Sequence, residues 1–358
     1  LPGSVKCVSD VATEPVVIVS TEGVLGTITL NRPRALNALS GEMILLIAAA
    51  LERWRDDDAV HRVLIQGAGE RGLCAGGDVR ALYDQIVAGR PELTAQFFRA
   101  EYALNAAIAE YPKPVIAFAD GITMGGGIGL AGHAAMRVVT ERSRLAMPET
   151  RIGFTPDVGG TWLLGKAPGR AGEYLGLTGE SMTAADALYA GFADVQVSSE
   201  SLAELRDALT HPGDHERLIA PYVVAAEPSA LAGAQAWVDE VFGVASLAEI
   251  IAALRGRTEP EAAAALVTLE EVSPTGLTVT LDAVREARAM SGLREALEGE
   301  YRRVMWFVHE HPDLVEGIRA QLVDKDRNPK WQPEAIAELV PDAGAPAREY
   351  RPAGTLFV

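Results

Sequence analysis

Cysteine is scarce. The 358 residues contain two, Cys7 and Cys74, too few and too far apart for a disulfide framework or a Cys-x-x-Cys metal site. Cys74, between Leu73 and Ala75 in a glycine-rich turn, reads as a small packed thiol rather than a nucleophile. Six histidines fall in no His-Glu-x-x-His pattern, which leaves a zinc centre without support and gives an expectation of no metal. No run approaches the ~20 uninterrupted apolar residues of a membrane span. A charged segment followed by an apolar one is also missing at the start of the chain, so the expected location is cytoplasmic. Basic residues are outnumbered, 32 against 49 acidic, for a net charge of −17. That field repels nucleic acid and anionic membrane, and neither is an expected partner. An anionic small molecule would need a local site made of backbone N–H groups, helix N-termini or a few basic side chains.

What is present is a globular composition, 48% hydrophobic and 23% charged. Residues 16–31 form two β-branched runs around Glu22-Gly23, a hairpin signal closed by Asn31-Arg32-Pro33. Ser40 is placed to cap a helix running to about Arg55. Val63-Leu64-Ile65, Val115–Ala119 and Arg137–Val139 read as buried strands, with a helix from about Glu92 to Ala109. Two-strand-then-helix units continue to about residue 195. Beyond residue 200, Ala, Leu, Glu and Arg dominate in a helical pattern, and Pro341–Val358 has no periodicity. The division expected is a core over 12–200, a helical region over 201–340 and an extended tail over 341–358.

Three segments carry chemistry. Ala75-Gly76-Gly77-Asp78 and Met124-Gly125-Gly126-Gly127 each follow a core strand. Glycine lets backbone approach a ligand closely, so two such turns can aim two N–H groups at one oxygen atom. The plain alternative is that the glycines serve tight turns and helix packing. Neither segment is a Gly-x4-Gly-Lys phosphate loop, and the second lacks the βαβ setting of a dinucleotide site. The third segment, Met147–Gly160, holds Glu149 and Asp157 eight residues apart among prolines and glycines. That spacing spans a turn, so both carboxylates can reach one pocket and divide acid and base roles. Asp157 is equally well placed to cap a helix starting at Val158 or Gly159.

Together these segments resemble the crotonase superfamily of enoyl-CoA hydratases and isomerases, over residues 16–200. The resemblance implies a spiral of ββα units binding an acyl-CoA. It puts the thioester oxygen on the N–H groups of Gly77 and Gly126, and Ala38, Ala75 and Asp78 at substrate-binding positions. CoA is then part of the substrate, and no cofactor is expected. A hydratase of this family carries a glutamate two residues after the triple glycine. Gly129 stands there, while the second family glutamate is present as Glu149, 20 residues later. Asp157 stands where hydratases show glycine.

Gly129 with Asp157 is similar to the branch of the superfamily that hydrolyses 3-hydroxyisobutyryl-CoA in valine catabolism. Phe97–Tyr102 resembles that branch's substrate-side helix, which points to Glu101; the plain alternative is a solvated helix face. Ser273-Pro274-Thr275, Glu300-Tyr301-Arg302, Glu316–Ala320 and Pro329-Lys330-Trp331 extend the similarity to about residue 335. Asp324–Lys330 reads best as a structural turn with local ion pairs. The resemblance implies Glu149 as nucleophile or base and Asp157 as the group that orients water. A hydratase or double-bond isomerase, and a CoA-binding protein without catalysis, are the alternatives. Superfamily members form trimers, so a homo-oligomer is an open expectation.

Overall fold

The computed structural model describes residues 14–357; Cys7, the first two positions of the expected core and the last residue of the tail lie outside it. The hairpin pairs β1 (Val17–Glu22) with β2 (Leu25–Leu30), antiparallel, with Val17 opposite Leu30 and Glu22 opposite Leu25. Ser40 accepts a hydrogen bond from Met43 N at 3.2 Å and starts α1 (Gly41–Arg55), whose Met43, Ile44, Ile47, Leu51 and Trp54 are buried. The Ser40 hydroxyl satisfies one of the N–H groups that a helix start leaves unpaired.

From there the chain alternates between two sheets. β3 (Arg62–Gly67), β5 (Val115–Ala119), β7 (Met136–Val139) and β9 (Val195–Gln196) extend the hairpin into a sheet of order β1-β2-β3-β5-β7-β9. β4 (Gly72–Cys74), β6 (Ile122–Met124) and β8 (Arg144–Ala146) form a second, parallel sheet of order β4-β6-β8. Each turn of the spiral gives one strand to each sheet. After β4 come α2 (Val79–Val87) and α3 (Pro91–Ala109); after β6 comes α4 (Gly126–Ala131). The fold is α/β, a crotonase-like spiral of ββα units with a helical C-terminal region.

The central strands of the large sheet, β3 and β5, are buried on both faces, which is why they read as continuous apolar runs. Val63 and Ile65 join the main core, while Leu64, Ile116, Phe118 and Val138 pack with Leu205, Leu209 and Ile219 on the other face. Buried Arg62 ties that second layer down by donating to the carbonyls of Leu209, His211 and Gly213.

Two features differ from the sequence reading. α2 has no counterpart in it: only Leu82 of its nine residues is buried, and it leaves the glycine turn without a side-chain cap, so neither periodicity nor capping announces it. The tail is not wholly extended. Ala345–Glu349 is a short helix whose Ala347 is buried against Pro274–Ala287 and Leu293–His309. The ion-paired turn is as expected, with Arg319 bound to Asp324 and Asp326 at 2.6 and 2.7 Å.

Candidate active site

The two glycine turns meet. An atom placed at the Cβ position of Gly126 would lie 3.3 Å from Gly77 N, 3.1 Å from the Leu39 side chain and 2.5 Å from Glu101 Oε1. Any side chain at 126 would therefore displace a carboxylate and close the gap between the turns. Among the described residues neither Gly77 N nor Gly126 N has an acceptor, as expected of donors kept for a ligand. Gly126 N is the first N–H of α4, one of the groups with no partner inside a helix.

Around these turns lies a cavity of about 190 Å³. Ala75, Gly77, Gly126, Glu101, Glu149 and Asp157 line it, with an apolar remainder that includes Leu82, Phe97, Phe98, Phe154 and Leu314. Ala38 and Asp78 are not on its wall. The Ala38 carbonyl accepts from Arg32 Nη1 at 2.6 Å, and the Asp78 carboxylate pairs with Arg32 Nη2 at 3.0 Å. Ala38 belongs to the loop on which the turn carrying Gly77 is docked, and Asp78 ends that turn with its side chain directed to Arg32.

Three acids reach the cavity from three elements. Glu101 comes from α3, whose residues 98, 101, 102 and 105 share one inward face. It is 2% exposed, so the solvated-face alternative does not hold. Glu149 opens a short 3-10 turn after β8 and sits with Oε1 3.0 Å from the Cβ position of Gly125. Asp157 accepts the Tyr102 hydroxyl at 2.8 Å on Oδ2. Its side chain caps nothing: the helix Gly160–Lys166 begins at Gly159 in left-handed conformation, without a side-chain cap.

Among the described residues no basic side chain lines this cavity. Burial pushes the Glu101 and Glu149 carboxyls well above the usual range, and the charge of Asp157 adds to both. Asp157 is pushed up to about 7 by burial, opposed by the hydroxyl of Tyr102. Three uncompensated carboxylates in one apolar pocket cannot all be ionised, so at neutral pH they share protons. Among the described residues Asp157 is the one of the three that accepts a side-chain hydrogen bond, from Tyr102. Cys74 is buried beside the site with its thiol pushed up to about 12 by burial, a packed thiol as expected.

Gly129 has a visible reason. A Cβ there would lie 2.7 Å from Asn105 Nδ2 and 2.8 Å from Val158 Cβ. Asn105 is fully buried, and among the described residues neither of its amide atoms has a partner. The space a side chain at 129 would need is already filled.

Residues with no role in the sequence reading complete the site. Tyr102 holds Asp157. Glu300, 1% exposed on the helix Leu293–His309, accepts from Gly159 N at 2.7 Å, Thr161 N at 2.9 Å and Thr161 Oγ1 at 2.5 Å. Burial pushes Glu300 up to about 8 against those hydrogen bonds. His133 Nε2 lies 2.8 Å from the Val158 carbonyl. The signal for Tyr102 was its place beside Glu101; Glu300 stood only within a stretch that extends the resemblance, and nothing in the sequence links it to Thr161, 139 positions away.

A family model described as enoyl-CoA hydratase/isomerase matches residues 25–345. The chain is 41% identical over 335 residues to the mitochondrial 3-hydroxyisobutyryl-CoA hydrolase of Xenopus tropicalis, covering 91% of this chain and 86% of that one. It is 37% identical over 333 residues to the human mitochondrial enzyme of the same name, covering 90% and 86%. Among solved structures, one described as a carnitinyl-CoA dehydratase from Mycobacterium thermoresistibile superposes with a TM-score of 0.90 at 44% identity, covering 95% and 98%. One described as an enoyl-CoA hydratase from Rhodobacter sphaeroides superposes with 0.87 at 41%, covering 93% and 97%.

Proposed function

The chain belongs to the enoyl-CoA hydratase/isomerase family, and on that premise we propose that it is a thioester hydrolase converting 3-hydroxyisobutyryl-CoA and water to 3-hydroxyisobutyrate and CoA. One observation carries the choice of hydrolysis over hydration. Adding water across a double bond uses two groups to place the water and move protons. Asn105 and Val158 fill the place where the family glutamate missing at 129 would start, and Asp157 enters the pocket from another side. The relatives named as hydrolases support this reading; the hydratase and dehydratase descriptions of the solved relatives are the competing one.

The cavity supports a short acyl group. About 190 Å³ is below the ~300–1,000 Å³ of sites that enclose a whole small molecule, so it takes the acyl end and leaves CoA outside. With the thioester oxygen between Gly77 N and Gly126 N, the tetrahedral oxyanion gains two preset donors. Ionised Glu149 removes a proton from water as it attacks, or attacks the carbonyl itself to give an anhydride that water then opens. Either way the C–S bond breaks and the thiolate of CoA leaves with a proton. Asp157, steadied by Tyr102, orients the water, and Glu101 binds the substrate hydroxyl. The reaction balances with water alone and calls for no metal or redox group. It is the same in the cytoplasm expected from the sequence and in the mitochondria of the vertebrate relatives' names.

Free thiol measured with 3-hydroxyisobutyryl-CoA and, in parallel, loss of crotonyl-CoA absorbance test the reading. Thiol release without crotonyl-CoA hydration is expected; no thiol from any short hydroxyacyl thioester overturns it. A single turnover in H₂¹⁸O then identifies the anhydride route, because only an anhydride that water opens at the Glu149 carbonyl carbon leaves label in Glu149.

A further inference from the structure

Asp157 sits at the head of a turn that its own sequence does not favour. Val158 has φ 53, the left-handed region, where a β-branched side chain is strained, and Gly159 follows at φ 78. Such a turn persists only if its surroundings hold it. Glu300 supplies most of the hold: Oε2 takes Gly159 N, while Oε1 takes both Thr161 N and Thr161 Oγ1. From the other side His133 Nε2 meets the Val158 carbonyl. The next residue of the same helix, Tyr301, packs edge-on against the ring of Tyr102 at 6.2 Å, and Tyr102 in turn donates to Asp157. Two adjacent residues of one C-terminal helix thus brace both supports of a single carboxylate. Glu300 does not line the cavity.

We propose that Glu300 is a positioning residue: by accepting three hydrogen bonds from the 159–161 segment it keeps Val158 left-handed and Asp157 aimed into the cavity. This rests on the hydrolase reading for its kinetic consequence, though not for its geometric one. In Glu300→Gln an amide NH₂ must face a backbone N–H that has nothing to accept with. The turn relaxes, Val158 returns to negative φ, and Asp157 leaves Tyr102.

The test is the set Glu300→Gln, Val158→Gly and the double variant, assayed for hydrolysis of 3-hydroxyisobutyryl-CoA and examined by crystallography. Glu300→Gln is expected to lower kcat about 10- to 100-fold, the scale set by a misplaced reacting group, with KM within about twofold. Glycine adopts positive φ without strain, so adding Val158→Gly to Glu300→Gln is expected to restore kcat at least about fivefold. A Glu300 that merely anchored its helix would give no such rescue. Wild-type kcat in Glu300→Gln, a loss confined to KM, or no rescue in the double variant each overturns the proposal. If Glu300→Gln does not fold, Thr161→Val replaces it, with an expected kcat loss of about threefold and unchanged KM; wild-type kcat there overturns it as well. If the wild-type protein releases no CoA, the hydrolase reading fails by itself. The positioning claim is then decided by the Glu300→Gln crystal structure, where residue 158 still at positive φ with Asp157 on Tyr102 overturns it.

Discussion

The two walls of the cavity are built by opposite means. One is backbone: the turns at Gly77 and Gly126, each leaving a strand of the same small sheet, present N–H groups whose places follow from the strands themselves. The other is side chain: Glu101, Glu149 and Asp157 arrive from separate elements, and the last depends on Tyr102 and Glu300, 55 and 143 positions away. The first wall is stable chemistry, neutral donors on a pleated scaffold. The second concentrates like charge in an apolar pocket and costs stability, the usual condition of a working site. In the proposed reaction the backbone wall polarises and the acid wall reacts.

Breaking the acid wall at its centre should have the largest effect. Glu149→Gln is expected to lower kcat roughly 10³-fold with KM within a few fold, measured by thiol release. Full hydrolysis by this variant would take Glu149 out of the chemistry. Breaking the backbone wall should cost less. Gly126→Ala, whose methyl group would press on Glu101 and lie beside Gly77 N, is expected to lose about 10²-fold in kcat, near the cost of one oxyanion donor. Equal activity in Gly126→Ala would place the thioester oxygen elsewhere.

Charge gives the finest division between the walls. The proposed reaction needs Glu149 ionised, so its raised proton affinity is expected to put the acid limb of a measured kcat/KM profile above the usual carboxylate range. Stability runs the other way. A carboxyl whose pKa is raised by folding contributes fully below its unfolded value and loses that contribution as pH climbs through the folded one. For Asp157 the window runs from 3.8 to about 7. Replacing a buried acid with its neutral amide removes this loss, so Glu101→Gln should raise Tm at pH 8 by about 2–4 °C and leave it nearly unchanged at pH 4. A lower Tm at pH 8 would mean that Glu101 is paired and not a source of strain.

The contrast between the walls also marks what a single sequence shows. The hairpin, the Ser40 cap, the strands and both glycine turns are local patterns, so they can be read where they stand. Glu149 and Asp157 are legible as two acids in one turn, but not the distance between them or what surrounds them. Glu101 is balanced between a solvated face and a pocket until α4 is seen packing on α3, and Asp157 between a cap and a ligand group until Tyr102 is seen beneath it. α2 escapes because its nine residues bury one side chain and start without a cap. The short helix Ala345–Glu349 escapes because its alanine and proline carry no period.

By itself, then, the sequence determined the order of two-strand-and-helix units, the two glycine turns, the absence of a glutamate at 129 and the presence of a carboxylate at 157. Those follow from residue type and spacing along the chain, where sterics and hydrogen bonding act over a few positions. Only the tertiary structure decided that three acids share one cavity without a cation, that Asn105 and Val158 leave no room at 129, and that Glu300 holds the turn of Asp157. Those depend on desolvation and close packing between segments that lie from 24 (Asn105 and Gly129) to 143 (Asp157 and Glu300) positions apart, and a linear pattern does not encode which of its distant side chains will meet.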